Sequence, residues 1–468
     1  MSRRPLVLAL ALVLLPAAGA HAEDLLQTYE LARTSDPQLS AAESGTLATK
    51  EGAVQARAAL LPQIDGTASI SRSRIDSESN SLTDDGVPVG DTDSESTNRR
   101  LAVDVRQMVY DRSNFTRLKS QKSLSRSADF QLESAGDSLA TRTSAAYFNV
   151  LVAIETLAAA EAQETALKKQ FDFADKRLEV GLAPITDVHE ARAQYDSARA
   201  NTIVTRNALE DAYQALVELT GQPVRGLKGL PEDFKPELPA EQSAESWVTA
   251  AIENNPALKA KEFQVESAAA DVETARAGHW PTLYLSGGYA DSKTWGSDTN
   301  NIFGERSNDS NSRGPELGLV LSVPIFSGGL VQSQVRQAIA QRDVASDELE
   351  QQKRALVRNT RNAYQTLIAG ISEVEARKAA VFSARSAYDA SQVGLEVGTR
   401  TVLDVLNNQR TLFDAEREYA LSRYNFLQNR LLLEQAAGSL EVADIQDINR
   451  LLTADAEAEL APGNIPPQ

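Results

Sequence analysis

The sequence has no cysteine. No disulfide framework or thiolate metal site is open to it, and stability outside the cytosol must come from a core or an oligomer. Histidine is scarce: His21, His189 and His279 are the three. His189-Glu190 begins like a zinc-protease helix, but Ala193 stands where the second ligand histidine belongs. A phosphate loop, a dinucleotide fingerprint and a nucleophile elbow are all missing. An enzyme is therefore not expected, nor a cofactor, nor a resident metal. Basic residues are outnumbered, 47 Lys and Arg against 65 Asp and Glu, for a net charge of −18. That sign excludes an ordinary nucleic-acid binder.

Long apolar runs are few. Residues 1–22 have the form of a secretory signal peptide: Arg3 and Arg4, an apolar run from Leu6 to Leu15, and Ala20-His21-Ala22 as the cleavage site. No later run is expected to reach the length of a membrane helix. A mature chain that enters a bilayer must then do so as a closed barrel.

Proline is missing from two long stretches, 114–180 and 325–461. The spacing predicts helices over about 114–180, 184–219, 330–397 and 401–437, the longest about 100 Å if unbroken. A short helix is expected over 243–254. Val405, Leu412, Tyr419, Phe426 and Leu433 recur every seven residues, and Val188, Tyr195, Thr202, Leu209 and Leu216 answer them. Ala146, Val150, Ala153 and Leu157 run beside Tyr147, Leu151, Ile154 and Ala158. Two adjacent seams let one helix pack against a neighbour on each side.

Alternating runs predict four strands, about 64–75, 99–111, 282–291 and 315–327. Ser- and Asp-rich linkers within each pair, 76–98 and 292–314, are expected to be exposed loops. Tyr284, Tyr289 and Trp295 sit where a membrane barrel keeps its aromatic girdle. Four strands cannot close such a barrel, so several chains must contribute: two give the minimum, three a wider pore.

Two halves can be overlaid. Asp36-Pro37, inside an early helix, and Leu61-Pro62-Gln63 answer to Asn255-Pro256 and Trp280-Pro281-Thr282. Ala146-Tyr147 answers to Ala363-Tyr364, and Asp187-Val188 to Asp404-Val405, at an offset of 217. Such collinearity indicates an internal duplication. The expected organisation is a first repeat over 23–240, ending in a Pro- and Gly-rich connector from 221, a second over 241–451, and a disordered acidic tail over 452–468.

The most distinctive stretches are Ala146-Tyr147-Phe148-Asn149-Val150-Leu151, Ile185-Thr186-Asp187-Val188, Val323-Pro324-Ile325-Phe326-Ser327-Gly328-Gly329 and Val397-Gly398-Thr399-Arg400 with Asp404-Val405-Leu406. Through them the chain resembles the TolC family of outer-membrane channel-tunnels of Gram-negative bacteria, over nearly all its mature length. The resemblance implies a mainly α fold with a small β part. It implies a homotrimer whose twelve strands, four per chain, form one β-barrel in outer-membrane lipid, with coiled-coil helices forming an α-barrel in the periplasm. It implies docking to a periplasmic adaptor and an inner-membrane RND or ABC transporter, and passage of drugs or type I secreted proteins. A non-conducting structural or adhesive envelope protein is the competing expectation.

The resemblance also implies site residues. Asp187 and Arg400 match a salt-bridge gate latch, with Thr186 and Gln170 as hydrogen-bonding members. Leu395 and Gln392 depart from the Tyr and Glu of close relatives, which thins the latch. Asp404 matches a carboxylate ring at the narrow aperture, open to divalent block, and Asn407 replaces a second Asp ring. Gly181, Leu182, Gly398 and Thr399 match adaptor-docking turns. The plainer alternatives are a surface ion pair, a helix-capping Asp and helix-terminating glycines.

Overall fold

The computed structural model describes residues 24–459 except 79, 80, 83, 85, 87, 89, 183, 232, 239–242 and 303. The expected signal peptide lies outside the described residues, as does the tail from 460 onward. The chain is mainly helical with a smaller β part. Its order begins α1 (Leu25–Ser35), α2 (Pro37–Ala58), β1 (Gln63–Ser77), β2 (Thr92–Tyr110), α3 (Arg112–Glu179), α4 (Ile185–Thr220) and β3 (Lys228–Gly229). It continues with α5 (Ala244–Asn254), α6 (Pro256–Ala277), β4 (Thr282–Asn300), β5 (Gly304–Ser307), β6 (Ser310–Ser322), α7 (Leu330–Glu396) and α8 (Val402–Ala437). It closes with α9 (Val442–Leu451) and β7 (Ala454–Asp455). Helices of 11, 22, 68 and 36 residues in the first half meet helices of 11, 22, 67 and 36 in the second.

The chain divides into two compact units. One comprises Gly45–Phe130 and Lys259–Gln351 and holds the large sheet. Its order is β1-β2-β4-β6, antiparallel throughout, with β5 beside one end of β4. The register puts Ile64, Val105, Gly287 and Leu317 in one row and Gly66, Val103, Tyr289 and Pro315 in the next. Side chains alternate between faces, so these rows share one face. On it Ile64, Leu101, Val103, Tyr289, Leu317 and Leu319 are all exposed. The opposite face carries Asp65, Asp104, Arg106 and Glu316.

The strands run further than the apolar alternation predicts. β1 and β2 stay paired to Ser77 and Thr92, and β4 continues through Trp295 to Asn300. Much of the expected polar loop is strand, because ladder bonds and cross-strand pairs such as Arg72 with Glu95 stabilise polar residues there. Tyr284 is not part of an outer girdle: it lies on the polar face, donates to Asp111 at 2.8 Å and stacks under Arg106.

The other unit contains the main core. Tyr147, Tyr213 and Tyr424 are its largest fully buried side chains, with Leu151, Ile154, Leu157, Leu209 and Leu216 beside them. Every heptad-spaced seam position of α4 and α8 is buried except the half-buried Tyr195 and Tyr419. Asp36 does not lie inside a helix. It separates α1 from α2, accepts from Leu39 N at 2.9 Å and pairs with Arg142 at 2.9 Å. Asn255 likewise separates α5 from α6, accepting from Leu258 N at 3.0 Å. Proline disfavours helical backbone at the residue before it, which breaks both helices at the same place.

Two further expectations change. α3 contains a stretch long and apolar enough to cross a membrane, but half of that stretch is buried within the chain. An Ala-rich core helix meets that criterion because it too must bury most of its circumference. The tail is ordered at its start. Leu452 is buried, β7 pairs with β3, and Glu457 accepts from Tyr213 Oη at 2.5 Å and Gly226 N at 2.9 Å.

Candidate functional site

The two turns that join α3 to α4 and α7 to α8 are built alike. Gly181 N donates to Leu178 O and Leu182 N to Arg177 O, at 2.9 and 2.8 Å. Gly398 N donates to Leu395 O and Thr399 N to Gly394 O, at 3.2 and 2.8 Å. Each is a Schellman ending, which needs a left-handed residue after the helix. Gly181 and Gly398 supply it with φ of 74° and 80°. A Cβ on either would meet nothing within 4 Å, so both turns present open backbone. Leu182 and Thr399 are exposed beside them.

The next helices start differently. Thr401 caps α8: its hydroxyl accepts from Asp404 N, and the Asp404 carboxylate accepts from Thr401 N at 2.9 Å and Thr401 Oγ1 at 2.8 Å. These bonds, from the Thr401 backbone first and its hydroxyl second, hold the Asp404 carboxyl below the usual range, and Arg400 adds to the effect. α4 is capped by Pro184, which makes no side-chain cap bond and has no N–H to give. Asp187, in the same position, receives among the described residues only a 3.4 Å side-chain contact from Thr186 Oγ1. Its half-exposed carboxylate keeps most of its acceptor capacity.

Arg400 is exposed. Among the described residues no ion pair within the chain joins it to Asp187, so the expected latch does not form inside one protomer. The Arg400 side chain lies over Gly394, where a Cβ would come within 2.6 Å of its Cγ. Gln170 and Gly398 line an open groove of about 1120 Å³ with Phe173, Tyr388, Gln392 and Leu395. Gln170 Nε2 is buried there without a hydrogen-bond partner among the described residues, and Gln392 donates instead to Tyr388 Oη at 2.6 Å. Asp187, Thr186, Arg400 and Asp404 are not among the groove's lining residues. Asn407 is exposed one turn into α8.

Sequence reasoning started α4 at Pro184, which is instead its cap, and passed over the cap at Thr401 and the gap at Gly394. The signal for the first two was present, since a proline and a threonine at equivalent helix starts have opposite capping capacity.

The family model for outer membrane efflux proteins matches residues 28–222 and 247–439. The chain belongs to the outer membrane efflux protein family. It is 35% identical to the outer membrane protein TolC of Escherichia coli over 96% of this chain and 88% of that one. It is 30% identical to the alkaline protease secretion protein AprF of Pseudomonas aeruginosa, over 93% and 89%. Its fold matches the crystal structure of the Campylobacter jejuni CmeC outer membrane channel with a TM-score of 0.74 at 17% identity, over 94% of this chain and 90% of that one.

Proposed function

We propose that the protein is an outer-membrane exit duct of a Gram-negative bacterium. The observation that carries this reading is the sheet: four long strands, one face apolar and exposed, and two outer edges, on β1 and β6, left unpaired among the described residues. Open edges are not tolerated in hydrocarbon. A homotrimer closes them into twelve strands, wide enough for an aqueous pore. The matching helix lengths of the two halves and the two matched segments support an origin by duplication. In the family context of TolC and AprF, cargo is drugs, type I secreted proteins or both. A periplasmic adaptor docks at the open turns of Gly181, Leu182, Gly398 and Thr399 and links the duct to an inner-membrane RND or ABC transporter, which supplies the energy.

Asp187 and Arg400 form the gate latch between neighbouring protomers, with Thr186 and Gln170 adding hydrogen bonds. Three copies of Asp404 ring the aperture, and Asn407 lines it one turn on. Single-channel recording of the purified protein in a planar bilayer tests the reading. Cation-selective openings are expected. A protein that inserts as a trimer and stays silent, both as wild type and as Arg400→Ser, is instead a structural or adhesive envelope protein.

A further inference from the structure

Past the apolar rows of the large sheet, the same face turns cationic. Arg99 on β2 lies directly opposite Lys293 on β4, and Arg313 on β6 sits diagonal to Lys293, opposite Asp291. Like charges directly opposed on one face of a sheet destabilise the pair. The internal relief is small: Arg99 Nη2 reaches Asp291 Oδ1 at 3.5 Å, and no ion pair engages Lys293 or Arg313 among the described residues. All three cations are exposed. Trp295, partly exposed, lies in the next row, where an aromatic side chain suits the boundary between hydrocarbon and headgroups.

Below this patch, on the same face, Gly287 leaves a gap in the apolar surface. Val103, Val105, Leu285, Tyr289 and Leu317 wall a groove of about 390 Å³ around it, with Gln107 at its end away from the cations. A Cβ on Gly287 would meet only Leu317 Cδ1, at 3.5 Å, and Glu316 O, at 3.7 Å, so the gap is real space. An apolar groove running along the strands toward a cluster of under-neutralised cations fits an amphiphile with an acyl chain and an anionic head.

We infer that Arg99, Lys293, Arg313 and the Gly287 groove form a binding site for one phosphorylated, acylated glycolipid of the outer leaflet. The inference rests on the barrel reading, which makes this face the lipid-facing one. The leaflet follows from polarity along the strands. α3 starts directly after β2 at Arg112, at the opposite end of the strand from the cations, so with the helices periplasmic the cationic row faces the outside. Two phosphates on a sugar head can engage three separated cations at once, whereas phosphatidylglycerol offers a single phosphate.

Native mass spectrometry of the purified trimer, titrated with bisphosphorylated lipid A, dephosphorylated lipid A and phosphatidylglycerol, tests this. Wild type should retain bisphosphorylated lipid A in preference to the other two. Lys293→Gln with Arg313→Gln should weaken retention roughly fivefold per cation, about 25-fold together. Gly287→Leu should fill the groove and weaken all acylated ligands alike. Equal binding by wild type and the double variant overturns the site, and phosphatidylglycerol binding as tightly as lipid A overturns the choice of glycolipid. If a variant does not fold, the comparison of phosphorylated with dephosphorylated lipid A on wild type still decides, equality counting against the site. Failure of the wild type to form a bilayer-inserted trimer would sink the barrel reading, and this inference with it.

Discussion

Thr401 and Asp404 satisfy each other at the start of α8, hydroxyl to amide in one direction and carboxylate to amide in the other. The equivalent pair in the first half, Pro184 and Asp187, cannot do this, because proline has no N–H and no side-chain acceptor. One difference in a repeated frame thus commits Asp404 locally and leaves Asp187 available to a partner. Pro184→Thr should rebuild the cap, turn the Asp187 carboxylate inward and stabilise the start of α4 by about 1 kcal/mol. The expected outcome is a higher Tm together with a larger resting conductance. A higher Tm with unchanged conductance would show that Asp187 has no role in closing the duct.

Gly394 places Arg400. Its missing side chain gives the Arg400 Cγ room to lie across the helix end. Gly394→Ala should displace the guanidinium without touching its charge. If Arg400 latches to a neighbour's Asp187, this variant and Arg400→Ser should both raise single-channel conductance and antibiotic leakage. An exposed pair contributes only about 0–1 kcal/mol, so three such pairs would hold a gate weakly enough for a docking partner to open it. Leakage equal to wild type in both variants would remove Arg400 from the gate.

Parts of this were legible in the residues alone and parts were not. The seams at Val405, Leu412, Phe426 and Leu433 are buried as their period predicts, since heptad spacing and burial are the same physical fact. The outer parts of the strands were hidden because Ser94, Asn98, Thr294 and Asp298 carry no apolar alternation. They pair across strands through polar contacts instead, Asn98 to Thr294 at 3.0 Å among them. β7 was hidden for another reason. Ala454 and Asp455 sit in an acidic, Ala-rich stretch, and the partner that orders them, Lys228–Gly229, lies more than two hundred residues away. At the turns, the glycines announced themselves as helix ends, while the different fates of Asp187 and Asp404 depended on reading the capping residue before each.

Glu434 is buried in α8, with Arg430 Nε at 3.1 Å on one oxygen and no partner for the other among the described residues. Burial outweighs Arg430, and Asp444 and Asp447 of α9 push the same way as burial, so its carboxyl is raised to about 7. A carboxyl with a raised folded pKa holds its proton more tightly in the native state. Its contribution is full below the unfolded value of 4.5 and is lost as pH rises through the folded value of about 7. Wild type should therefore lose stability between about pH 5 and pH 7, by an amount on the order of 1–3 kcal/mol. Thermal melts across that window should show Glu434→Gln flattening the slope. A slope identical in the two proteins would assign the pH dependence elsewhere, with Asp137, raised to about 6 by burial and Glu133, the next residue to test.

Tyr213 and Gly226 both donate to Glu457, which ties the connector between the halves to the segment after α9. Glu457→Ala leaves a buried phenol hydroxyl and a backbone amide without their acceptor, at a cost of about 1–3 kcal/mol. A lower Tm with unaltered channel conductance is expected. Tyr213→Phe removes one donor while leaving the Gly226 bond, and should cost less. The reverse order would mean that Tyr213 stabilises the core through its ring and the stacked Arg225 rather than through its hydroxyl.

Asp404 has two duties if it rings the aperture, and they can be separated. Asp404→Asn keeps an acceptor for the Thr401 amide but removes the charge, so the helix start should survive while three negative charges leave the pore. Cation selectivity should fall and block by divalent cations should weaken. Asn407→Asp adds a second acidic ring on an exposed position one turn along the same helix, where it should raise selectivity and strengthen the block. The capping bonds hold the Asp404 carboxyl below its usual range, so the stability they supply is present above the unfolded pKa and is lost as pH falls through the folded value. Selectivity carried by Asp404 should therefore persist to lower pH than the increment added by Asn407→Asp, whose new carboxyl has no such cap. Reversal potentials measured over acid to neutral pH for wild type and both variants decide this. Identical curves would leave Asp404 as a helix cap alone.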